Sequence, residues 1–317
     1  MMTRPRSLSL LALPLALLVA CGDSESPQSP NVATPPRIVA SFEPLRWVAS
    51  ELAADFAQIE TLTPADADPL HYKPNEAKVQ DLQQATLILL NGAGAEAWID
   101  KIALPMAKTL NASNSFARDF IEIEGAIVHS HGPGGEHTHD GLDPHVWLDP
   151  QQLREQARAV HARLKQVLAQ NEKALSGLGK RLQKLEKQLN ELHAGFESLG
   201  KRPKGEVLLA SHPAYNYVAR RYGWEMYNLD IDPETMPSDE AFALLRSQLA
   251  DKKARFIFWE SKPLPEIAAR FKKDFGLDSV LFSPGEMLSA QELAAGQNYL
   301  TVMRANIERL RPVFAAQ

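Results

Sequence analysis

One cysteine in 317 residues is the sharpest shortage in this chain. A lone Cys21 forbids an intrachain disulfide and any site built from several thiolates. Clusters of basic residues are missing too. The formal charge is -5 and no Lys/Arg block stands out, which argues against nucleic acid as a partner. Beyond the first twenty residues no apolar run is long enough to span a bilayer. The local signature His-Glu-x-x-His of many zinc hydrolases does not occur either. What the chain has in unusual density is histidine. Five of its nine histidines fall within seventeen residues, 129 to 145. Imidazole suits late transition metals at neutral pH, and packing alone does not explain such clustering.

The N-terminus speaks to location. Arg4 and Arg6 precede an apolar run from Leu8 to Ala20, broken only by Ser9 and Pro14. A charged start and a short hydrophobic stretch read as an export signal over residues 1–20. The run ends in Leu18-Val19-Ala20-Cys21, which resembles the lipobox of bacterial lipoproteins. That resemblance implies cleavage before Cys21 and a lipid anchor on its sulfur. The plainer alternative is an ordinary leader with an incidental cysteine, but nothing else in the chain uses cysteine. Residues 21–36 form a Ser/Pro-rich tether that cannot bury a core. Loss of Arg4 and Arg6 with the leader removes two positive charges and takes the net charge from -5 to -7. The expectation is a soluble body, membrane-anchored as a lipoprotein in the periplasm or at the cell surface.

Strand and helix patterns alternate through most of that body. Arg37 to Ser41, Ala57 to Leu62 and Thr86 to Leu90 read as strands, with helices from Leu45 to Asp55 and Glu76 to Ala85. Such alternation predicts βα units on a parallel sheet. From Glu172 to Leu199 the character changes. Leu175, Leu178, Leu182, Leu185, Leu189, Leu192 and Phe196 recur at spacings of three and four, one continuous helical stripe. A coiled-coil seam fits the same spacing. A helix packed along two α/β halves fits its position better. The alternation then resumes, with strands at Glu206 to Ala210, Arg255 to Trp259 and Ser279 to Phe282. Helices are expected at Pro213 to Tyr222, Leu264 to Phe275 and Ala290 to Val313. The boundaries expected are an N-terminal α/β lobe over 37–171, a linking helix over 172–199 and a C-terminal α/β lobe over 200–317.

His71, His145 and His212 each sit in a predicted loop beside prolines, Pro69 and Pro74, Pro144, and Pro213. Ligands of open α/β sheets gather at the carboxyl ends of strands. Three neutral imidazoles meeting there would make a tetrahedral zinc site with one position left over. Taken singly, a loop histidine is more often a surface or capping residue. His161 and His193, on predicted helices, read that way.

Four motifs in order carry a resemblance: Asp68-Pro69-Leu70-His71-Tyr72-Lys73-Pro74, Asn91 to Trp98, Asp143-Pro144-His145-Val146-Trp147-Leu148-Asp149-Pro150 and Ser211-His212-Pro213-Ala214-Tyr215. From about Arg37 to its end the chain resembles the zinc/manganese solute-binding proteins of bacterial metal ABC importers. The resemblance implies an α/β fold of two (β/α)4-type lobes joined by one long backbone helix, with the metal in the interlobe cleft. It implies Zn(II) as transported ligand, an ABC permease of the inner membrane as partner, and no catalysis; a periplasmic metallochaperone stands open as a further partner. His71 and His145 would come from the N-lobe and His212 from the C-lobe. Manganese members place a carboxylate where His212 stands, and three imidazoles match zinc better. His129, His131, His137 and His139, in the loop 129–139, would be accessory metal ligands. The ordinary alternative for that loop is a solvated insertion with adventitious binding.

The fourth ligand is where the pattern departs. Relatives often carry Asp-Pro near the last strand, and this chain has Phe282-Ser283-Pro284. Water or Glu260 would complete the site. Rival readings are a lipid-anchored zinc hydrolase, with Glu260 as base, and a manganese-binding or adhesive protein of the same fold.

Overall fold

The computed structural model describes residues 34–65, 67–123, 128–130, 136–138 and 141–315. The expected leader, the tether from Cys21 to residue 33, and His131 and His139 lie outside them. In chain order the strands are β1 (Arg37–Ala40), β2 (Gln58–Thr61), β3 (Leu87–Leu90), β4 (Thr109–Asn111), β5 (Glu122–Ile123), β6 (Val128–Ser130), β7 (Glu136–Thr138), β8 (Gly141–Leu142), β9 (Glu206–Ala210), β10 (Met226–Asn228), β11 (Lys253–Trp259) and β12 (Asp278–Leu281). The helices are α1 (Glu43–Ala53), α2 (Glu76–Gln83), α3 (Pro150–Val167), α4 (Glu172–Glu197), α5 (Asn216–Tyr222), α6 (Asp239–Gln248), α7 (Pro265–Phe275), α8 (Ala290–Ala294) and α9 (Tyr299–Ala315).

Two parallel four-stranded sheets organise the body, in the orders β2-β1-β3-β4 and β10-β9-β11-β12. Helices follow the strands in both halves, so the expected α/β class with two parallel-sheet lobes is what the chain adopts. Parallel strands bury both faces, and the sequence shows it: all four residues of β3, Leu87-Ile88-Leu89-Leu90, are buried. Successive side chains point to opposite faces. In β1, Ile38 and Ala40 join the main core while Val39 joins a cluster with Leu82 and Trp98. In β9, Leu208 and Ala210 join that same main core, and Leu209 joins Phe242, Ile267 and Phe271 on the far face. One core therefore runs between the two sheets, and each sheet has a second helical layer outside it.

The stripe residues of α4 fill the middle of that core. Leu178, Leu185, Leu189, Leu192 and Phe196 are buried, and Leu175 and Leu182 pack against them. The helix is 26 residues, about 39 Å at 1.5 Å per residue, and it packs on α1, α3 and α9. The stripe is thus covered from within the chain. Asn171 starts α4 by accepting the Ala174 amide, and Asp149 starts α3 by accepting the Gln151 amide ahead of Pro150.

Several elements were not foreseen. β4, β10 and the short β5–β8 pair hold two or three residues each, too few for a period to register. Helix α1 begins at Glu43, two residues ahead of the expected start, because a proline is tolerated in the first turn. α5 begins at Asn216, three residues late, since Pro213 and Ala214 turn the chain first.

Candidate metal centre

All strands of one parallel sheet end on the same edge; His71 and His212 follow such ends, while His145 follows the short β8 of the separate β5–β8 pair. His71 lies in the loop after β2. Asp68 shapes that loop: its carboxylate accepts the Leu70 amide at 2.8 Å and its carbonyl the Tyr72 amide at 2.9 Å. The same carboxylate meets His71 Nδ1 at 2.6 Å. That contact fixes the ring and turns Nε2 into the nitrogen a metal would meet.

His145 comes from the loop after β8, at the entrance to the 3-10 turn Val146–Leu148. It is buried, and Nδ1 lies 2.8 Å from Asp143 Oδ1, which also accepts the His145 backbone amide at 2.9 Å. With Nδ1 protonated toward the carboxylate, Nε2 carries the lone pair. That Nε2 is buried and has no hydrogen-bond partner among the described residues. A polar network holds this loop from behind. Asn91 Nδ2 donates to the Pro144 carbonyl at 2.9 Å, and Gln156 Nε2 donates to Asn91 Oδ1 at 2.9 Å. The carboxylate of Glu96, raised by burial, accepts the amides of Asn91 and Gly92. Gly92 has φ +79°, and a Cβ there would stand 2.2 Å from Asn111 Oδ1, so a larger residue would be strained and would displace the Asn111 side chain.

His212 follows β9 after Ser211 and is buried. Its ring centroid stands 5.6 Å from that of His145, with planes at 76°. His71 and His212 line one cavity of about 670 Å³, together with Asp68, Glu260 and Glu286. The cavity is bounded by the β2 loop of the first half and by strand ends of the second. Among the described residues no three His, Cys, Asp or Glu side chains stand close enough to hold a single ion. In this conformation His71 from one half and His212, Glu260 and Glu286 from the other line one space without converging, and His145 stands beside His212.

Two carboxyls darken the electrostatics of that space. Glu260, at the end of β11, is pushed up to about 8 by burial, with the negative charges of Asp68 and Asp232 adding to it. Glu286, beyond β12, is raised well above the ordinary carboxylate range, first by burial and then by Asp68 and Glu260. Its Oε2 is buried without a partner among the described residues. A cation entering that space would favour the ionised form of both carboxyls. Glu286 stands two residues beyond Pro284, where the sequence motif draws attention only to Ser283 and Pro284. The signal was an acid after the turn Pro284-Gly285, where Gly285 takes φ +69°.

The Glu286 loop is tied to the His145 loop. Trp147 is fully buried and its Nε1 donates to the Pro284 carbonyl at 2.9 Å, while Tyr299 OH donates to the Trp147 carbonyl at 2.6 Å. Tyr215 OH donates to the Phe282 carbonyl at 2.7 Å. Of the accessory histidines, His129 in β6 stands opposite His137 in β7 in the backbone register. His193 is engaged elsewhere, its Nδ1 3.0 Å from Tyr222 OH.

A family model described as the periplasmic component A of the zinc-uptake complex, ZnuA, matches residues 38–313. The zinc-binding lipoprotein AdcA of Streptococcus pneumoniae (strain ATCC BAA-255 / R6) is 27% identical over 317 residues, covering 96% of this chain and 60% of AdcA. The high-affinity zinc uptake system protein ZnuA of Bacillus subtilis (strain 168) is 22% identical over 321 residues, covering 96% of each. Among solved structures, the Zn(II)-bound ZnuA-like domain of Streptococcus pneumoniae AdcA superimposes with a TM-score of 0.73 at 23% identity, covering 88% of this chain and 98% of that one. The metal-dependent lipoprotein YcdH of Bacillus subtilis gives 0.73 at 20% identity, over 87% and 98%. The likeness to these structures shows a shared fold. The chain spans about 60% of the length of AdcA.

Proposed function

The chain belongs to the ZnuA family of periplasmic zinc-uptake components, and from that membership we propose that it captures Zn(II) outside the cytoplasm and delivers it to an ABC-type permease. The observation that carries the reading is the arrangement of the donors: His71 and His145 are each oriented by a carboxylate, His212 stands 5.6 Å from His145, and His71, His212 and Glu286, whose buried Oε2 has no partner among the described residues, line one cavity. His71, His145, His212 and Glu286 are the proposed ligands. Three imidazoles and one carboxylate satisfy a tetrahedral zinc ion, with softer donors than manganese prefers.

The mechanism follows from where the ligands sit. Two histidines belong to the first half and His212 with Glu286 to the second, so bound zinc bridges the halves. Bringing four donors to about 2.0–2.2 Å requires the cavity to tighten around the ion. Zinc also supplies the positive charge that lets Glu260 and Glu286 ionise in a buried place. With all four positions taken by protein, no site is left for an activated water, and the protein serves as a carrier, not a catalyst. Release then requires the halves to separate, as on docking to the permease. The long α4 packed against helices of both halves favours a small rocking movement over a wide hinge. Anchoring through the lipidated Cys21 would keep the carrier beside that permease, with His129, His131, His137 and His139 as accessory donors.

The test is competitive titration with a chromogenic zinc chelator. One tight site per chain is expected, weakened at least 100-fold in His145→Ala and in His212→Ala without loss of fold. Unchanged affinity in either variant would sink the ligand assignment.

A further inference from the structure

Behind the proposed ligands lies a contact between the two halves that the site itself does not explain. Asp143 is fully buried, and a buried carboxylate is tolerable only when its lone pairs are met. Its Oδ1 is taken up by His145, through both the backbone amide and Nδ1. Its Oδ2 accepts from Nδ2 of Asn216 at 2.9 Å. Asn216 is the first residue of α5, in the other half, four residues after His212. The same Nδ2 also reaches the Pro213 carbonyl at 3.2 Å, inside the His212 loop. Orientation of the amide is fixed from the far side, because Asn228 Nδ2 donates to Asn216 Oδ1 at 2.9 Å. Asn228 thus donates to Asn216 and Asn216 to Asp143, and Asp143 accepts from Asn216 on one oxygen and from His145 on the other. This series of bonds begins next to one ligand loop and ends on the other.

We propose that Asn216 is a positioning residue for the metal site: through Asp143 it fixes the orientation of His145 relative to His212, and so sets zinc affinity. This rests on the ligand assignment proposed above. Without the amide, Oδ2 loses its donor and the carboxylate is free to rotate, taking Nδ1 of His145 with it. Partners one step behind a metal ligand are commonly worth 10–100-fold in affinity. Docking of α5 does not depend on Asn216. Tyr217 OH donates to the Asp143 carbonyl at 3.0 Å, Arg221 pairs with Asp149 at 2.7 Å, and Arg220 reaches the Asp119 carbonyl at 2.8 Å. Removal of the amide therefore alters aim, not attachment.

The experiment compares the parent, N216A, the exchanged pair D143N/N216D and H145A. Each is measured by zinc competition, and by the absorption of bound cobalt(II), whose visible bands report ligand geometry. N216A is expected to stay folded, to bind zinc 10–100-fold more weakly and to give altered cobalt bands. The exchanged pair restores an N–H to carboxylate link between the same positions and should recover most of the loss. The proposal is overturned if N216A keeps the parent's affinity and cobalt spectrum. It is equally overturned if affinity drops while the spectrum is unchanged and the exchanged pair recovers nothing. H145A separates the two levels. Zinc loss in H145A with none in N216A leaves the site standing and removes only Asn216, whereas parent-like binding in H145A removes the site itself.

Discussion

At the scale of single residues, the account turns on how burial treats a carboxyl beside other carboxyls. Glu260 is held at about 8 in the metal-free fold, against an ordinary 4.5. Between those values the folded protein keeps a proton that the unfolded chain has released. The folded state then binds more protons, and its stability falls as pH rises through that window. Glu260→Gln removes the ionisable group and with it that share of the slope. Melting temperatures of the metal-free protein from pH 5 to 8 should decline more steeply in the parent than in E260Q; parallel profiles would contradict the electrostatic picture. Glu286 is assigned a different role. Glu286→Gln keeps the shape of the loop but loses the anionic donor, so zinc affinity should fall at least tenfold. Parent-like affinity in E286Q would return the fourth position to water or Glu260.

At the scale of elements, α4 shows how far sequence alone reaches. Its seven apolar residues at three-four spacing define a helix, and the structure places all seven in one core. Spacing could not say which partner covers the stripe, since a coiled-coil seam has the same period; α1, α3 and α9 cover it. Leu189, fully buried at the centre, should cost about 2–5 kcal/mol on truncation to Ala, read as a lower urea midpoint. A loss under 1 kcal/mol would mean the helix is peripheral to the fold. Strands of four to seven residues were legible because apolar runs bounded by turns announce them. β4 and β10 were not, because three residues carry no period. The site was legible in part for a similar reason. His71, His145 and His212 sit in proline-marked motifs, while Glu286 is set by a turn and by burial that only the fold supplies. Asn216 belongs to the same class: nothing in Tyr215-Asn216-Tyr217 announces a partner seventy-three residues away. The histidine segment 129–139 is expected to be dispensable for the tight site. Its deletion should leave zinc stoichiometry at one, and loss of all tight binding would move the site to that segment.

At the scale of the whole molecule, two parallel sheets share one central core with α4, and each has a second layer outside. Cores of this size fold without a metal, unlike small zinc domains. Metal-free protein should therefore keep its far-UV circular dichroism, and zinc should raise its melting temperature, because a ligand that binds only the folded state stabilises it in proportion to RT ln(1 + [L]/Kd). An unfolded metal-free state would favour a structural zinc over a carried one. Beyond stability, the central claim is one of place: zinc sits between the halves. Anomalous diffraction at the zinc edge from zinc-loaded crystals tests it most directly. The account predicts one strong peak in the cavity, about 2.0–2.2 Å from imidazole nitrogens of His71, His145 and His212 and from a carboxylate oxygen of Glu286. A peak elsewhere, or a cavity peak lacking any of the three histidines, would contradict it.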